Sequence, residues 1–436
     1  MPVRPALSKS SPPSVSLAWE PWAECTQNTS PVQDGRKSMS ATYRRKYEAL
    51  KEEYTGVPGV TVCPDGHSVA RSSDFIMYSV EAEFIDRVVA QYGPSTKLNA
   101  VVAGQTSVKA PEKAAFEKYL PQDVHIVSCH SLHGPSVSPV GQPLVLIQHR
   151  APPEALRFVE NILRSFRSRY VYLSYDEHDL VTANTQAVTH AAFLSMGTAW
   201  ASVKSYPWEQ GLYVGGIETA KVNITLRIYS NAWHVYAGLA ILNPSAKIQI
   251  DQFADSATEL FKLMLQGTAE GGQQRLRERV EWARQIVFGD DAEDRSTPPN
   301  NANSHLSLLA MVDCWAHLKI QPFHHLALAA TPIFRLFLGV AEHLFLSPTL
   351  LDSAIRSGLY DTWHRRDDLE FVIAARQWSQ CVSFGSFELY RRRFEETRVF
   401  FEGRFEEAGV LGSEMIKAIM ESEREREARE RNIQDK

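Results

Sequence analysis

A chain of 436 residues is too long for one small core, and at roughly 100 to 200 residues per domain it implies two or three units. A net charge of −5 and a pI near 6.3 leave no basic field to hold nucleic acid or an anionic membrane. Cys25, Cys63, Cys129, Cys314 and Cys381 stand far apart with no CxxC pair, which argues against a disulfide framework or structural zinc and for a reducing, cytoplasmic setting. No apolar run reaches the roughly 18 residues that span a bilayer, and no basic-then-apolar leader opens the chain.

Residues 1–40 are rich in Ser and Pro without periodicity and read as a disordered or aberrant segment; sparse Arg together with Glu20, Glu24 and Asp34 disfavours a transit peptide. Residues 43–54 are strong helix formers and predict a short surface helix. An alternating pattern comes next. Strands are expected at 74–80, 98–103, 124–129, 143–148 and 170–174, with helices at 81–92, 110–120 and 153–168 between them. Such alternation implies a parallel sheet covered by helices on both faces.

Beyond Tyr175 the strand signals stop. Helices are expected at 177–206, as one long segment, and at 222–240, 246–265 and 273–287. An acidic, Pro- and Asn-rich linker covers 290–303, and further apolar helices are expected at 304–318, 332–346 and 367–382. The chain closes in a charged tail, 421–436. The domain reading is therefore 41–175, 176–289 and 304–420, an α/β unit followed by all-α units. A faint echo between 225–245 and 333–349 suggests a degenerate repeat, though apolar helices resemble one another by chance.

Four stretches hold candidate chemistry. The strand at 124–129 runs into HSLHGP, placing His130 just past a strand's carboxyl end, where open sheets bind ligands; a solvated turn is the plainer alternative. GQTSVK, 104–109, ends the preceding strand, where Ser107 or Thr106 serves either a cofactor or the cap of the next helix. His178, Thr182, Gln186 and His190 recur every four residues along an otherwise apolar helix, so their partners are other protein groups or a polar ligand. Arg227, six residues before Trp233 on an apolar helix, must meet a carboxylate from the protein or from a ligand; Arg335 and Arg376 sit in similar surroundings. No Gly-x-Ser-x-Gly elbow, Walker lysine loop or HExxH helix occurs, and adjacent His324 and His325 do not make a metal site.

Together GQTSVK, HSLHGP, DEHD, TQAVTHAAFLSMG, LRIYSNAWHVYAGLAILNPSA and NSHLSLLAMVD resemble the prephenate dehydrogenases of the fungal, NADP-dependent type, from about Tyr47 to about Ile419. The resemblance implies a Rossmann domain followed by a helical dimerisation domain, NADP as cofactor, prephenate as substrate and a homodimer. It also implies residue roles: His130 holds the ring hydroxyl, Ser107 orients that histidine, and Arg227 grips a substrate carboxylate. His190, Gln186 and Trp233 belong to the substrate pocket, Gln186 standing where bacterial relatives carry serine, while Ser79, Val80, Gln105 and Thr106 face the cofactor. Ser136 stands where some bacterial members have a gating glutamate.

No GxGxxG occurs in the chain. The expectation is that the first βαβ unit, which cradles the pyrophosphate, is replaced by the Ser/Pro segment through a mis-joined first exon, leaving apolar sheet edges bare. Arg44, Arg45 and Lys46 are candidates to meet a 2′-phosphate or simply open a surface helix. The competing readings are a catalytically impaired relative acting as a helical dimerisation or regulatory protein, and a related hydroxy-acid dehydrogenase.

Overall fold

The computed structural model describes residues 15–19, 47–49, 51–56, 61–133, 138–267, 271–290, 303–329, 332–362, 364–411, 414 and 417. Ser136, Gly134-Pro135, Arg44 to Lys46, Cys25, most of the linker and the charged tail lie outside them. The chain divides into two compact units, Met1–Tyr175 and Asp176–Lys436.

The first unit is built on a six-stranded sheet in the order of the sequence: β1 (Val15–Trp19), β2 (Phe75–Ser79), β3 (Val101–Gly104), β4 (His125–His130), β5 (Pro143–Gln148) and β6 (Arg169–Tyr172). Its helices are α1 (Gly66–Ser72), α2 (Ile85–Tyr92), α3 (Ala110–Tyr119) and α4 (Pro153–Leu163). Strands β2, β3 and β4 are apolar on both faces, so both faces demand cover. Phe75, Val101, Ala103, Val127, Leu144 and Leu146 pack on Ala155, Val159 and Leu163 of α4. On alternate residues Tyr78 meets Phe116 of α3, ring centroids 5.7 Å apart.

The sheet differs from the sequence reading in two ways. Strand β5 pairs antiparallel with β4, from Val127↔Gln148 to His130↔Val145, so β5 and β6 oppose β1 to β4. Among the described residues no helix joins β4 to β5, and without a helix-long crossover the chain turns back on itself. Second, a strand lies inside the segment read as disordered. β1 pairs in parallel with β2 from Val15↔Phe75 to Trp19↔Ser79 and covers the edge expected to be bare. The run VSLAW is short and rich in strand formers, and the surrounding Ser and Pro conceal it when composition is averaged.

The second unit is helical: α5 (Tyr175–Thr182), a π turn (Ala183–Ala187), α6 (Val188–Ser202), α7 (Gly216–Ser230), α8 (His234–Leu242), α9 (Pro244–Leu265), α10 (Gly272–Phe288), α11 (Leu306–Leu318), α12 (Pro322–Ala329), α13 (Pro332–Leu346), α14 (Pro348–Tyr360), α15 (Arg365–Ser383) and α16 (Phe387–Phe401). The helix expected at 222–240 is broken after Ser230, where Asn231 is extended and its side chain binds the carbonyl of Arg227 at 3.0 Å. One hydrophobic cluster takes in Phe193, Phe253 and Leu260 before the linker and Leu308, Trp315, Phe345 and Trp378 after it. The helices beyond the linker therefore do not form a separate extension. α11 is apolar all round, and only a central position buries every side of it. The suspected repeat also fails: 225–245 covers a broken helix pair and 333–349 a single helix. No single helix among the described residues is long and apolar enough to cross a membrane.

α6 and α7 meet at Gly197, where an added Cβ would strike the Tyr229 ring and touch Thr225 Cγ2 at 3.0 Å. The Tyr229 hydroxyl is fixed by donation to the Leu194 carbonyl at 2.7 Å, so the ring has nowhere to go. Gly197→Ala is expected to destabilise the protein by about 1–3 kcal/mol, read as a lower calorimetric midpoint; an unchanged midpoint contradicts this packing.

Candidate active site

Parallel pairing sets the carboxyl ends of β2, β3 and β4 side by side, which brings Ser79, the 104–109 loop and His130 to one edge of the sheet. His130 is the last residue of β4 rather than the first of the loop, and it is half-buried. Two residues on, Leu132 holds φ 56°, a left-handed conformation unfavourable for a bulky side chain. Burial of its side chain helps to offset that strain.

A buried ion pair holds the loop. Lys109, fully buried, donates from Nζ to Glu112 Oε2 at 2.9 Å, Gly104 O at 2.9 Å, Cys129 O at 3.0 Å and Ser128 Oγ at 3.2 Å. Glu112, equally buried in the first turn of α3, also accepts from Thr106 Oγ1 at 2.5 Å and is met by Ser128 and by the Tyr175 hydroxyl. Gln105 binds Ser131 Oγ at 2.9 Å through Nε2, and its Oε1 lies 3.3 Å from Cys129 Sγ, tying the two loops together. Thr106 is thus committed to Glu112, with a second contact to the Val108 carbonyl at 2.8 Å. The Ser107 hydroxyl, half-buried, has no hydrogen bond among the described residues, so no bond from Ser107 to His130 is present. Sequence reasoning missed Lys109 and Glu112; a Lys-x-x-Glu at a helix start between two apolar strands was the available signal.

In the helical unit the four-residue stripe is not one α-helical face, because hydrogen bonding widens to the π pattern over Ala183–Ala187. His178 Nδ1 lies 2.9 Å from Asp179 Oδ1, and Thr182 donates back to the His178 carbonyl at 3.0 Å; both partners are the protein's own. Gln186 is half-buried and its amide has no hydrogen bond among the described residues. His190 is buried against Tyr236 and Phe337, with ring centroids at 4.9 and 5.9 Å, and its Nδ1 has no hydrogen-bond partner among the described residues. Burial pulls its pKa down to about 3, keeping the imidazole neutral at physiological pH.

Arg227 is half-buried and has no carboxylate within ion-pair distance among the described residues. Arg376, by contrast, is a surface residue paired with Asp255 at 2.6 Å, which corrects its reading as apolar-embedded. Asn231 connects the pocket: Nδ2 donates to the Arg227 carbonyl at 3.0 Å and to the Tyr236 hydroxyl at 2.9 Å, and Tyr236 stacks edge-on against His190. Arg227, Asn231, Tyr236 and His190 thus form one neighbourhood. Trp233 is half-buried beside it, 6.4 Å from the Phe387 ring. Of the adjacent pair, His324 is exposed and His325 binds Asn184 at 3.1 Å.

An α/β unit with an acid–base side chain at a strand's carboxyl end, followed by a helical unit with a guanidinium beside a neutral imidazole, defines a two-part dehydrogenase acting on an anionic substrate. A family model for the 6-phosphogluconate dehydrogenase C-terminal domain, in its tyrosine-dehydrogenase-like form, matches residues 187–421. Prephenate dehydrogenase [NADP(+)] of Saccharomyces cerevisiae is 50% identical over 408 residues, covering 88% of this chain and 89% of its own. A probable prephenate dehydrogenase [NADP(+)] of Schizosaccharomyces pombe is 51% identical, covering 86% and 90%. A crystal structure of prephenate dehydrogenase from A. aeolicus, with hydroxyphenyl propionate and NAD+, covers 55% of this chain and 90% of its own at 17% identity and a TM-score of 0.40. The chain belongs to the family of NADP-dependent prephenate dehydrogenases.

The sheet edge suits the nicotinamide end of such a cofactor: Ser79 is exposed there and the Ser107 hydroxyl is uncommitted among the described residues. Breaking a buried ion pair leaves one charge uncompensated and costs about 3–5 kcal/mol. Lys109→Met is therefore expected to destabilise the protein by that order, and Lys109→Met with Glu112→Leu by clearly less. Denaturant unfolding of the two single variants and the double checks this; additive losses would show that the pair does not act as one.

Proposed function

We propose that the chain oxidatively decarboxylates prephenate to 4-hydroxyphenylpyruvate and CO2 while reducing NADP, in tyrosine biosynthesis. The observation that carries this reading is half-identity over most of the chain to the budding-yeast prephenate dehydrogenase. NADP supplies the acceptor of the hydride lost from the carbon bearing the ring hydroxyl. His130 takes the hydroxyl proton as that carbon becomes trigonal, and Ser107 steadies the imidazole. Arg227 grips a carboxylate of the dianion through paired donors. Neutral His190 offers a hydrogen bond without adding charge, with Gln186 and Trp233 alongside. Aromatisation of the ring drives loss of the carboxylate as CO2. Ser79, Val80, Gln105 and the backbone at Thr106 are the residues assigned to the cofactor.

The enzyme is placed in the cytoplasm as a homodimer. The exposed Ile248 and Phe384 on the helical unit support self-association. Light scattering that gives the mass of a single chain at all concentrations would refute the dimer.

His130→Asn is expected to lower turnover about 100- to 10,000-fold with the fold kept, followed as reduced-cofactor absorbance with prephenate and NADP. Turnover near that of the unmodified chain would overturn the role. Arg227→Ala is expected to raise the KM for prephenate and leave that for NADP; equal prephenate KM values would make Arg227 structural.

A further inference from the structure

The π turn between α5 and α6 is the least regular backbone in the helical unit, and it is gripped from two sides. Asn184 lies within it, buried, with Oδ1 accepting from Gln249 Nε2 at 2.6 Å and Nδ2 bonded to His325 Nδ1 at 3.1 Å. Gln249 is a buried residue of α9 and His325 a half-buried residue of α12, so two helices distant in sequence hold one side chain. A wide turn inside an α-helix persists only where its surroundings fix it.

The turn changes which way the pocket residues face. In an α-helix each residue turns by about 100°, so the twelve steps from His178 to His190 rotate the side chain by about 120° net. One extra residue taken into a π turn rotates the succeeding helix back by about one residue's worth, leaving the two histidines about 20° apart. Gln186 leaves the helix from within this turn and His190 from just beyond it.

We propose that Asn184, clamped by Gln249 and His325, is a positioning residue that fixes the π turn and thereby the facing of Gln186 and His190 toward substrate. The inference rests on the reading that Gln186 and His190 recognise prephenate. Asn184 itself touches no reacting atom; its effect passes through helix rotation.

The test is steady-state kinetics of the full chain with prephenate and NADP. Asn184→Ala is expected to raise the KM for prephenate about tenfold or more, because a small misplacement of binding groups is costly. The KM for NADP and the thermal midpoint are expected to stay close to those of the parent. His325→Asn keeps an acceptor for Asn184 Nδ2 and is expected to behave as the parent, while His325→Leu behaves as Asn184→Ala does. A folded Asn184→Ala with unchanged prephenate KM, or with both KM values raised together, overturns the proposal. If Asn184→Ala does not fold, His325→Leu, at a half-exposed position, decides by the same criteria. His190→Asn separates the two layers. No change in its prephenate KM sinks the pocket reading itself, whereas a rise there without one in the Asn184 and His325 variants sinks the clamp alone.

Discussion

An ammonium group buried without water must find acceptors, and Lys109 finds a carboxylate, two backbone carbonyls and a hydroxyl. Each comes from a different part of the α/β unit: Gly104 ends β3, Ser128 and Cys129 lie near the end of β4, and Glu112 opens α3. One charge thereby fixes two adjacent strand ends and the start of the next helix. The cost of desolvating two charges is tolerable because nearly every lone pair and proton is used. His130 and Ser107 are attached to this knot rather than part of it, so the chemistry can proceed on groups whose own hydrogen bonds are not needed to hold the fold.

The helical unit solves a different problem. Among the described residues its pocket contains a histidine without an Nδ1 partner and an arginine without a carboxylate, two groups that a purely structural core would satisfy. Aromatic packing around His190 keeps the imidazole neutral, and a single asparagine side chain links Arg227 to that aromatic wall. Neutral imidazole beside fixed cation is a sensible pairing for a substrate that brings negative charge of its own.

Much of this was legible in the sequence because apolar period and strand-end position are local signals. The run into HSLHGP located His130 to within one residue, and the apolar helices at 246–265 and 332–346 were recoverable from their period. What escaped depended on partners far along the chain. The reversal of β5 is decided by a connection too short for a crossover, the break after Ser230 by the side chain of Asn231, and the π turn by Gln249 and His325. Lys109 and Glu112 looked like an ordinary helix start because burial cannot be read from their spacing. The strand at Val15–Trp19 was hidden by its neighbours' composition.

The antiparallel pairing of β4 with β5 has a further effect. With His130 opposite Val145, the ladder closes directly beside the catalytic histidine, and the segment between the two strands leaves and returns at nearly the same place. Its length is then a matter of loop-closure entropy, about 0.6 kcal/mol for each doubling, rather than of strand register. Lineages are free to lengthen, shorten or rewrite that excursion, and with it whatever lies over the substrate, without moving the base.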